Sequence, residues 1–382
     1  MYCDYNATAP LRPAVREVLR SAFDFVGNPS SIHKYGQDVR SHMEKAREKV
    51  ATFFGSAPKN VIFTSGATEA NNMVLRQHPG PVLVSAIEHD SVYICRGDRP
   101  TIEVHSNGLI NLDHLKDCLK FFSSDPSSVN GSVMIAVMAA NNETGVIQPL
   151  DDIFDIASTY KALVHVDAVQ AIGKHFFDYA RATTITLSGH KLGALAGIGA
   201  LIKKPDYHPK ALIEGGGQER GFRSGTENMM GILSLGAAIT DLQNDDWSAV
   251  EVLRDRLEAM ILDVAPEAVI FGKESPRLQN TINIAMPFVK SDLQLMLFDQ
   301  KNIAVSSGSA CSSGKVKTSR VLKAMKAASS LVNHAIRISF GTDVTEDMIH
   351  TLFTAWSQIY KAHSTVQDRI STRQEDICQA AM

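Results

Sequence analysis

Apolar runs long enough to cross a bilayer are missing from this 382-residue chain. The longest, Val133 to Ala140 and the glycine-broken Leu192 to Ile202, fall well short of the roughly 20 residues a spanning helix needs. An excess of either charge is missing too. Lys and Arg total 38 against 41 Asp and Glu, a formal net charge of -3, so nothing draws the chain generally toward nucleic acid. Cysteine is scarce and scattered: Cys3, Cys95, Cys118, Cys311 and Cys378 form no C-x-x-C pair and no zinc-ligand spacing. That excludes a disulfide framework and points to reduced thiols. The start, Met1-Tyr-Cys-Asp-Tyr-Asn6, lacks the basic-then-apolar order of a secretory signal. The expectation is a cytoplasmic protein with no membrane or nucleic-acid partner.

What is present is ample apolar material, 44% of the residues, enough for a large core divided between two domains. Val39, Met43, Ala46, Val50 and Phe53 recur on one face of a helix over 37–54. From Val61 onward, short strands without polar alternation are expected at Val61–Thr64, Val82–Ser85, Thr101–His105, Val133–Met138, Leu163–Val166, Thr183–Leu187 and Gly199–Ile202. Helices are expected between several of them, at Ala67–Arg76, Leu112–Phe121 and Leu150–Thr159. That alternation predicts an α/β fold with a mostly parallel sheet covered by helices on both faces. A glycine-rich passage, Glu214 to Thr226, interrupts it and leads into a helix from about Glu227.

Beyond about Asp246 the pattern becomes that of a smaller α+β domain. A helix over Ser248–Val264 is followed by a strand at Thr281–Ala285, a helix at Asp292–Gln300, strands at Ile303–Ser306 and Ala335–Ser339, and a closing helix over Glu346–Tyr360. The predicted division is a large domain over 13–246 and a small one over 247–382, completed by residues 1–12. The polar end from His363 is expected to fray.

The chemistry gathers at strand ends. Thr184-Ile-Thr-Leu-Ser-Gly-His-Lys191 puts a lysine at the mouth of a strand, and Leu163-Val-His-Val-Asp167 ends a second strand in a carboxylate. An amine and an aspartate so placed match the needs of pyridoxal phosphate (PLP): a carbonyl partner and a counter-ion for its ring nitrogen. In Val61-Ile-Phe-Thr-Ser-Gly66-Ala67-Thr68-Glu69 a strand turns directly into a helix. Its first N–H groups can bind a phosphate, although a plain capped helix reads the same way. His89, just after another strand, can stack on a flat ring and move protons, or it is an ordinary hydrogen-bonded histidine.

Three further motifs are open to two readings each. The Asn141-Asn142-Glu-Thr-Gly145 segment is either a simple turn or a pair of amides at the sheet edge. Cys311, flanked by serines and glycines in Ser306-Ser-Gly-Ser-Ala-Cys311-Ser-Ser-Gly314, suits an exposed thiolate nucleophile better than a core thiol. Packing is the reading for Cys3, Cys95 and Cys118, and a tail position for Cys378. Arg337, inside the apolar Ala335-Ile-Arg-Ile-Ser339, needs an anion: either a substrate carboxylate gripped by two N–H groups or a structural ion pair.

Taken in order, these motifs resemble the cysteine desulfurases of the NifS/IscS type, class V aminotransferase-like enzymes of PLP fold type I. The resemblance runs from Asp4-Tyr-Asn-Ala-Thr8 and Gly27-Asn-Pro-Ser-Ser-Ile-His33 to Arg337-Ile-Ser-Phe-Gly341. It is carried by Ser65-Gly-Ala-Thr-Glu69, Asn141-Asn-Glu-x-Gly145, Val166-Asp-Ala-x-Gln170, Ser188-Gly-His-Lys191, Arg223-Ser-Gly-Thr226 and Ser307-Gly-Ser-Ala-Cys311. It implies that Lys191 holds PLP as a Schiff base, that Asp167 keeps the ring nitrogen protonated, that Gln170 meets the ring hydroxyl and that His89 stacks on the ring. Ala67, Thr68, Ser188 and His190 would bind the phosphate. Thr226 would reach the phosphate of a neighbouring subunit, making the protein a homodimer. Asn142 and Arg337 would hold the carboxylate of L-cysteine, with Asn142 also near the cofactor.

On the same resemblance, Lys191 takes the α-proton and the Cys311 thiolate attacks the substrate sulfur. The products are L-alanine and a Cys311 persulfide, whose sulfur passes to an acceptor or scaffold protein for iron–sulfur cluster assembly or other sulfur transfer. No resident metal is implied, Cys311 serving at most as a transient cluster ligand. The chain departs from the family pattern after Lys191, where it reads Leu-Gly-Ala-Leu-Ala-Gly-Ile-Gly199, at Ala9, and in its tail. The competing readings are a selenocysteine lyase or class V aminotransferase, which need no Cys311; a catalytically idle sulfur-relay scaffold; and a thiol-redox protein, for which no resolving cysteine lies near.

Overall fold

The computed structural model describes residues 1–124, 132–307 and 318–380. Its larger sheet has six strands: β1 (Val61–Thr64), β2 (Val82–Val84), β3 (Met134–Met138), β4 (Leu163–Asp167), β5 (Thr184–Ser188) and β6 (Gly199–Lys203), in the order β1-β6-β5-β4-β3-β2. The pairs β2–β3, β3–β4 and β4–β5 are parallel, whereas β6 runs antiparallel to both β1 and β5. Every strand residue but Leu163 is buried, which is why these runs show no polar alternation. Helices Lys34–Phe53, Ala67–Arg76, Leu150–Thr159 and Met229–Asp241 supply the cover, their apolar faces turned to the sheet or to one another.

A second, antiparallel sheet joins β7 (Val269–Ile270), β8 (Thr281–Ala285) and β9 (Ala335–Ser339). Its core collects Leu257, Ile261, Ile282, Phe298, Ile338 and Trp356. The N-terminal residues belong to it as well: Cys3 is buried there, Tyr2 bridges to Ala304 and Asp4 to Ser339. Leu278, Val321, Leu322 and Met325 pack instead into the core of the larger sheet.

Three expected elements differ. Thr101–His105 is not a continuous strand, because Ile102 bridges only to Ser85 and Val104 only to Ile110, across a turn at Gly108. Ile303–Ser306 is likewise reduced to bridges, Ala304 to Tyr2 and Ser306 to Arg337. The last helix runs on from Glu346 to Ala380, since no Gly or Pro after Tyr360 stops it. Among the described residues no helix is long and apolar enough to cross a membrane.

Candidate active site

Three strand ends build one cavity of about 430 Å³. β1 runs through Ser65 and Gly66 into the Ala67–Arg76 helix, β4 stops at Asp167, and β5 stops at Ser188 just before Lys191. Ligand sites in open α/β sheets lie at this edge. Ala67, Thr68, His89, Asn142, Asp167, Gln170, Ser188, His190, Lys191 and Arg337 all line it, so ten residues scattered over the sequence meet at one place. Thr226 does not join them; it is exposed, outside this cavity. Cys311 lies outside the described residues.

Asp167 is buried and accepts at both oxygens. Oδ2 takes a hydrogen bond from Asn71 Nδ2 at 2.9 Å, and Oδ1 takes one from the Val169 N–H at 3.1 Å. Lys191 Nζ donates to the carbonyl oxygens of Asn6 at 2.8 Å and Ala7 at 2.6 Å, so the N-terminal segment forms one wall. Gln170 donates to the Asn6 carbonyl at 3.0 Å, while its buried Oε1 has no donor among the described residues. Burial, reinforced by the Lys191 charge, lowers the His190 pKa to about 4. Arg12 secures the unusual loop after Lys191. Its N–H donates to the Gly193 carbonyl at 3.0 Å and Nε to that of Leu192 at 2.7 Å, while Asp241 and Asp245 hold its far end.

The asparagine pair divides its two readings. Asn141 is fully buried and builds the turn, Oδ1 accepting from the N–H groups of Glu143 and Thr144 at 2.9 Å each. Asn142 lines the cavity. Arg337 does likewise, yet it also has its ion pair: Nη2 donates to Asp4 Oδ1 at 2.7 Å and Nη1 to the Asn142 carbonyl at 3.0 Å. Its buried Nε has no partner among the described residues.

Several site residues carried no local signal. His165 is two residues before Asp167, on the same face of β4, and reads as part of an apolar strand. Asn71 is buried in the middle of a helix. Glu88 is buried beside His89, with its carboxyl pushed up to about 8. Glu143 is pushed by burial to about 7 and accepts from Ser319 Oγ at 2.6 Å. For Glu88 and Glu143 the one thing to read is their place in the sequence, beside His89 and Asn142.

Residues 1–352 match the aminotransferase class-V family. Over 354 residues the chain is 36% identical to a cysteine desulfurase of Enterobacter agglomerans, covering 89% of this chain and 87% of that protein. The cysteine desulfurase IscS of Dictyoglomus turgidum is 35% identical, with 92% of each chain covered. Among solved structures, a NifS-like protein from Rickettsia africae superposes with a TM-score of 0.84 at 32% identity, covering 94% of this chain and 99% of that one. The chain belongs to the class-V aminotransferase family. Within it, the chain groups with the PLP-dependent cysteine desulfurases of the NifS/IscS type.

The cavity suits PLP on its own chemistry. It offers a primary amine at Lys191, a carboxylate at Asp167 and, at Gln170 Oε1, a buried acceptor without a donor among the described residues. It also offers the start of a ten-residue helix at Ala67, whose first N–H groups have no acceptor within the helix.

Proposed function

We propose that this chain takes sulfur from L-cysteine, yielding L-alanine and a persulfide on Cys311, and hands that sulfur to an acceptor or iron–sulfur scaffold protein. The observation that carries the reading is the meeting of Lys191, Asp167 and Arg337 in one cavity. When bound, PLP supplies a carbonyl for the substrate amine and a protonated ring that takes up the electron pair left at the α-carbon.

The chain's residues do the rest. Asp167 keeps a proton on the ring nitrogen, and His89 covers the ring face. Ala67, Thr68, Ser188 and His190 hold the phosphate, His190 as neutral imidazole given its lowered pKa. Lys191 anchors PLP, then takes the α-proton and returns one to the product carbon. Asn142 and Arg337 orient the substrate carboxylate, Arg337 Nε being a donor with no other partner among the described residues. The balance is thiol plus L-cysteine to persulfide plus L-alanine: the Cys311 sulfur bonds the substrate sulfur, whose carbon bond breaks, and no external oxidant enters.

Thr226 serves the phosphate of a partner subunit in a homodimer. Support comes from the exposed apolar side chains of Phe23, Val26, Ile32 and Tyr35, gathered within thirteen residues. The division into domains near residue 246, with residues 1–12 completing the smaller, is part of this proposal and rests on the two sheets and on Cys3 in the second core. The proposed compartment is the cytoplasm, in keeping with free thiols at Cys3, Cys95 and Cys118.

The test is the visible spectrum of the purified protein before and after L-cysteine, beside a Cys311→Ala variant. A PLP band that responds in both, with alanine and persulfide sulfur formed only by the wild type, supports the reading. Turnover independent of Cys311 would move it to a lyase or aminotransferase; no band after PLP is added would leave a scaffold.

A further inference from the structure

We infer that Asn71 is a positioning residue that ties Asp167 and His89 into one hydrogen-bonded unit, and that His165 and Thr184 fix its orientation. This rests on the proposed role of Asp167 toward PLP. Asn71 enters from the Ala67–Arg76 helix and is fully buried. Its Nδ2 donates to Asp167 Oδ2 at 2.9 Å and to Ser91 Oγ at 3.0 Å. Its Oδ1 meets His165 Nε2 at 2.9 Å, and His165 Nδ1 meets Thr184 Oγ1 at 2.8 Å. From Ser91 the chain continues through Oγ to His89 Nδ1 at 2.9 Å.

The direction of every bond follows from one end. A carboxylate only accepts, so the Asn71 atom facing Asp167 is the amide nitrogen. Oδ1 therefore faces His165, which must carry its proton on Nε2, and its Nδ1 accepts from the Thr184 hydroxyl. Burial keeps that imidazole neutral, with its pKa lowered to about 3. At the other end, His89 Nδ1 also accepts from the Ser91 N–H at 3.2 Å, so its proton is on Nε2. All donors thus run from Thr184 toward Asp167 and His89.

The sheet makes the alignment possible. His165 and Asp167 share a face of β4, and Thr184 is the register partner of His165 on β5. A carboxylate that accepts from such a chain is fixed in place, and on the proposed role it is then set to hold the proton of the ring nitrogen. The histidine is more than a satisfied core residue, because breaking the chain at its far end should be felt at the cofactor.

The experiment uses the full-length PLP-loaded protein with Asn71→Leu, Thr184→Val and Thr184→Ser. Read-outs are the Kd for PLP, the pH midpoint of the visible band and Tm. Asn71→Leu should weaken PLP by about tenfold or more, the scale of a lost hydrogen bond to a charged group, and Thr184→Val by a smaller factor. The midpoint should move upward in both, because a ring nitrogen less firmly protonated draws less charge from the lysine nitrogen. Thr184→Ser, which keeps the hydroxyl, should behave as wild type. If Asn71→Leu does not fold, Thr184→Val decides alone, since Val suits the strand. A Thr184→Val protein with wild-type Kd and midpoint overturns the inference, even if its Tm falls. Failure of the wild type to take up PLP removes the functional reading and this one with it; wild-type uptake with unaltered variants removes this one only.

Discussion

The two walls of the cavity hold their charges in different ways. On the sheet side, Asp167 is met by neutral donors from its own strand end and from Asn71, themselves braced by His165 and Thr184. On the other side, Arg337 is met by a second charge, the Asp4 carboxylate, and by the Asn142 carbonyl, with Nε unpaired among the described residues. Neutral donors leave Asp167 with a net charge for a bound group to answer. An ion pair already answers much of the Arg337 charge, so on the proposed reading an entering carboxylate would share the guanidinium with Asp4. The first wall is suited to a resident cofactor and the second to a ligand that comes and goes.

Breaking the resident wall should give the largest effect. On the proposed mechanism one amine both anchors PLP and moves the proton, so Lys191→Ala should abolish the lysine-linked PLP band and lower turnover by about 10³-fold or more. Absorbance and alanine release check this, and retained turnover would reassign the lysine. Next comes an ion pair that clamps β1. Arg47 donates from Nη1 and Nη2 to the two Glu219 oxygens at 2.7 Å each, and Glu219 Oε2 also accepts from the Phe63 N–H of β1 at 2.9 Å. Both side chains are almost fully buried. Arg47→Met should cost about 3–5 kcal/mol, since a buried carboxylate is left unpaired. Arg47→Met with Glu219→Leu should recover part of it, which urea melts of the three proteins would decide.

The elements that were legible in the sequence are those whose partners are local or whose position alone is informative. Lys191, Asp167 and Thr68 could be placed because each ends a strand or opens a helix, and strand ends converge in a parallel sheet. The β1 and Ala67–Arg76 boundaries match the expectation for the same reason: apolar run, glycine, helix. Asn71 and His165 stand 94 residues apart, Arg47 and Glu219 172, and Asp4 and Arg337 333. Such pairs leave no periodicity or spacing to read. The single-residue bridges at Ile102 and Ala304 escaped for a related reason, since β-branched runs predict strands whether or not a full ladder is available to pair with them.

Sharpening the comparison at the exchangeable wall calls for Arg337→Lys. The ammonium keeps a cation for Asp4 but loses the planar fork. KM for L-cysteine should rise by roughly 10- to 100-fold, the scale of a charged hydrogen bond, with a smaller change in kcat. PLP affinity should stay at the wild-type value, unlike that of the Asn71 variant. A loss confined to kcat, or a loss of PLP, would show that the two walls do not divide their work in this way.

The smallest effect tests whether the sheet wall tolerates a second negative charge. Glu88 Oε1 accepts from Ser85 Oγ at 2.5 Å and from the Met138 N–H at 2.8 Å, whereas Oε2 has no partner among the described residues. Burial, opposed by the Ser85 hydrogen bond and aided by the nearby Asp167 charge, pushes its carboxyl from an ordinary 4.5 up to about 8. The folded protein therefore keeps a proton there that the unfolded chain releases above 4.5. The resulting stability is complete below 4.5 and is lost as pH rises through 8. His165 has the opposite sign: its pKa is depressed to about 3, so its contribution is present above 6.5 and lost on acidification. Glu88→Gln keeps Oε1 and is neutral at every pH. The Tm difference, variant minus wild type, cancels His165 and the other buried groups. It should be near zero at pH 5 and grow steadily more positive toward pH 8, following a difference in unfolding free energy that changes by at most about 1.4 kcal/mol per pH unit. Parallel melting profiles across that window would mean that Glu88 is ionised beside Asp167, and the sheet wall would then hold two charges where neutral donors were inferred to serve one.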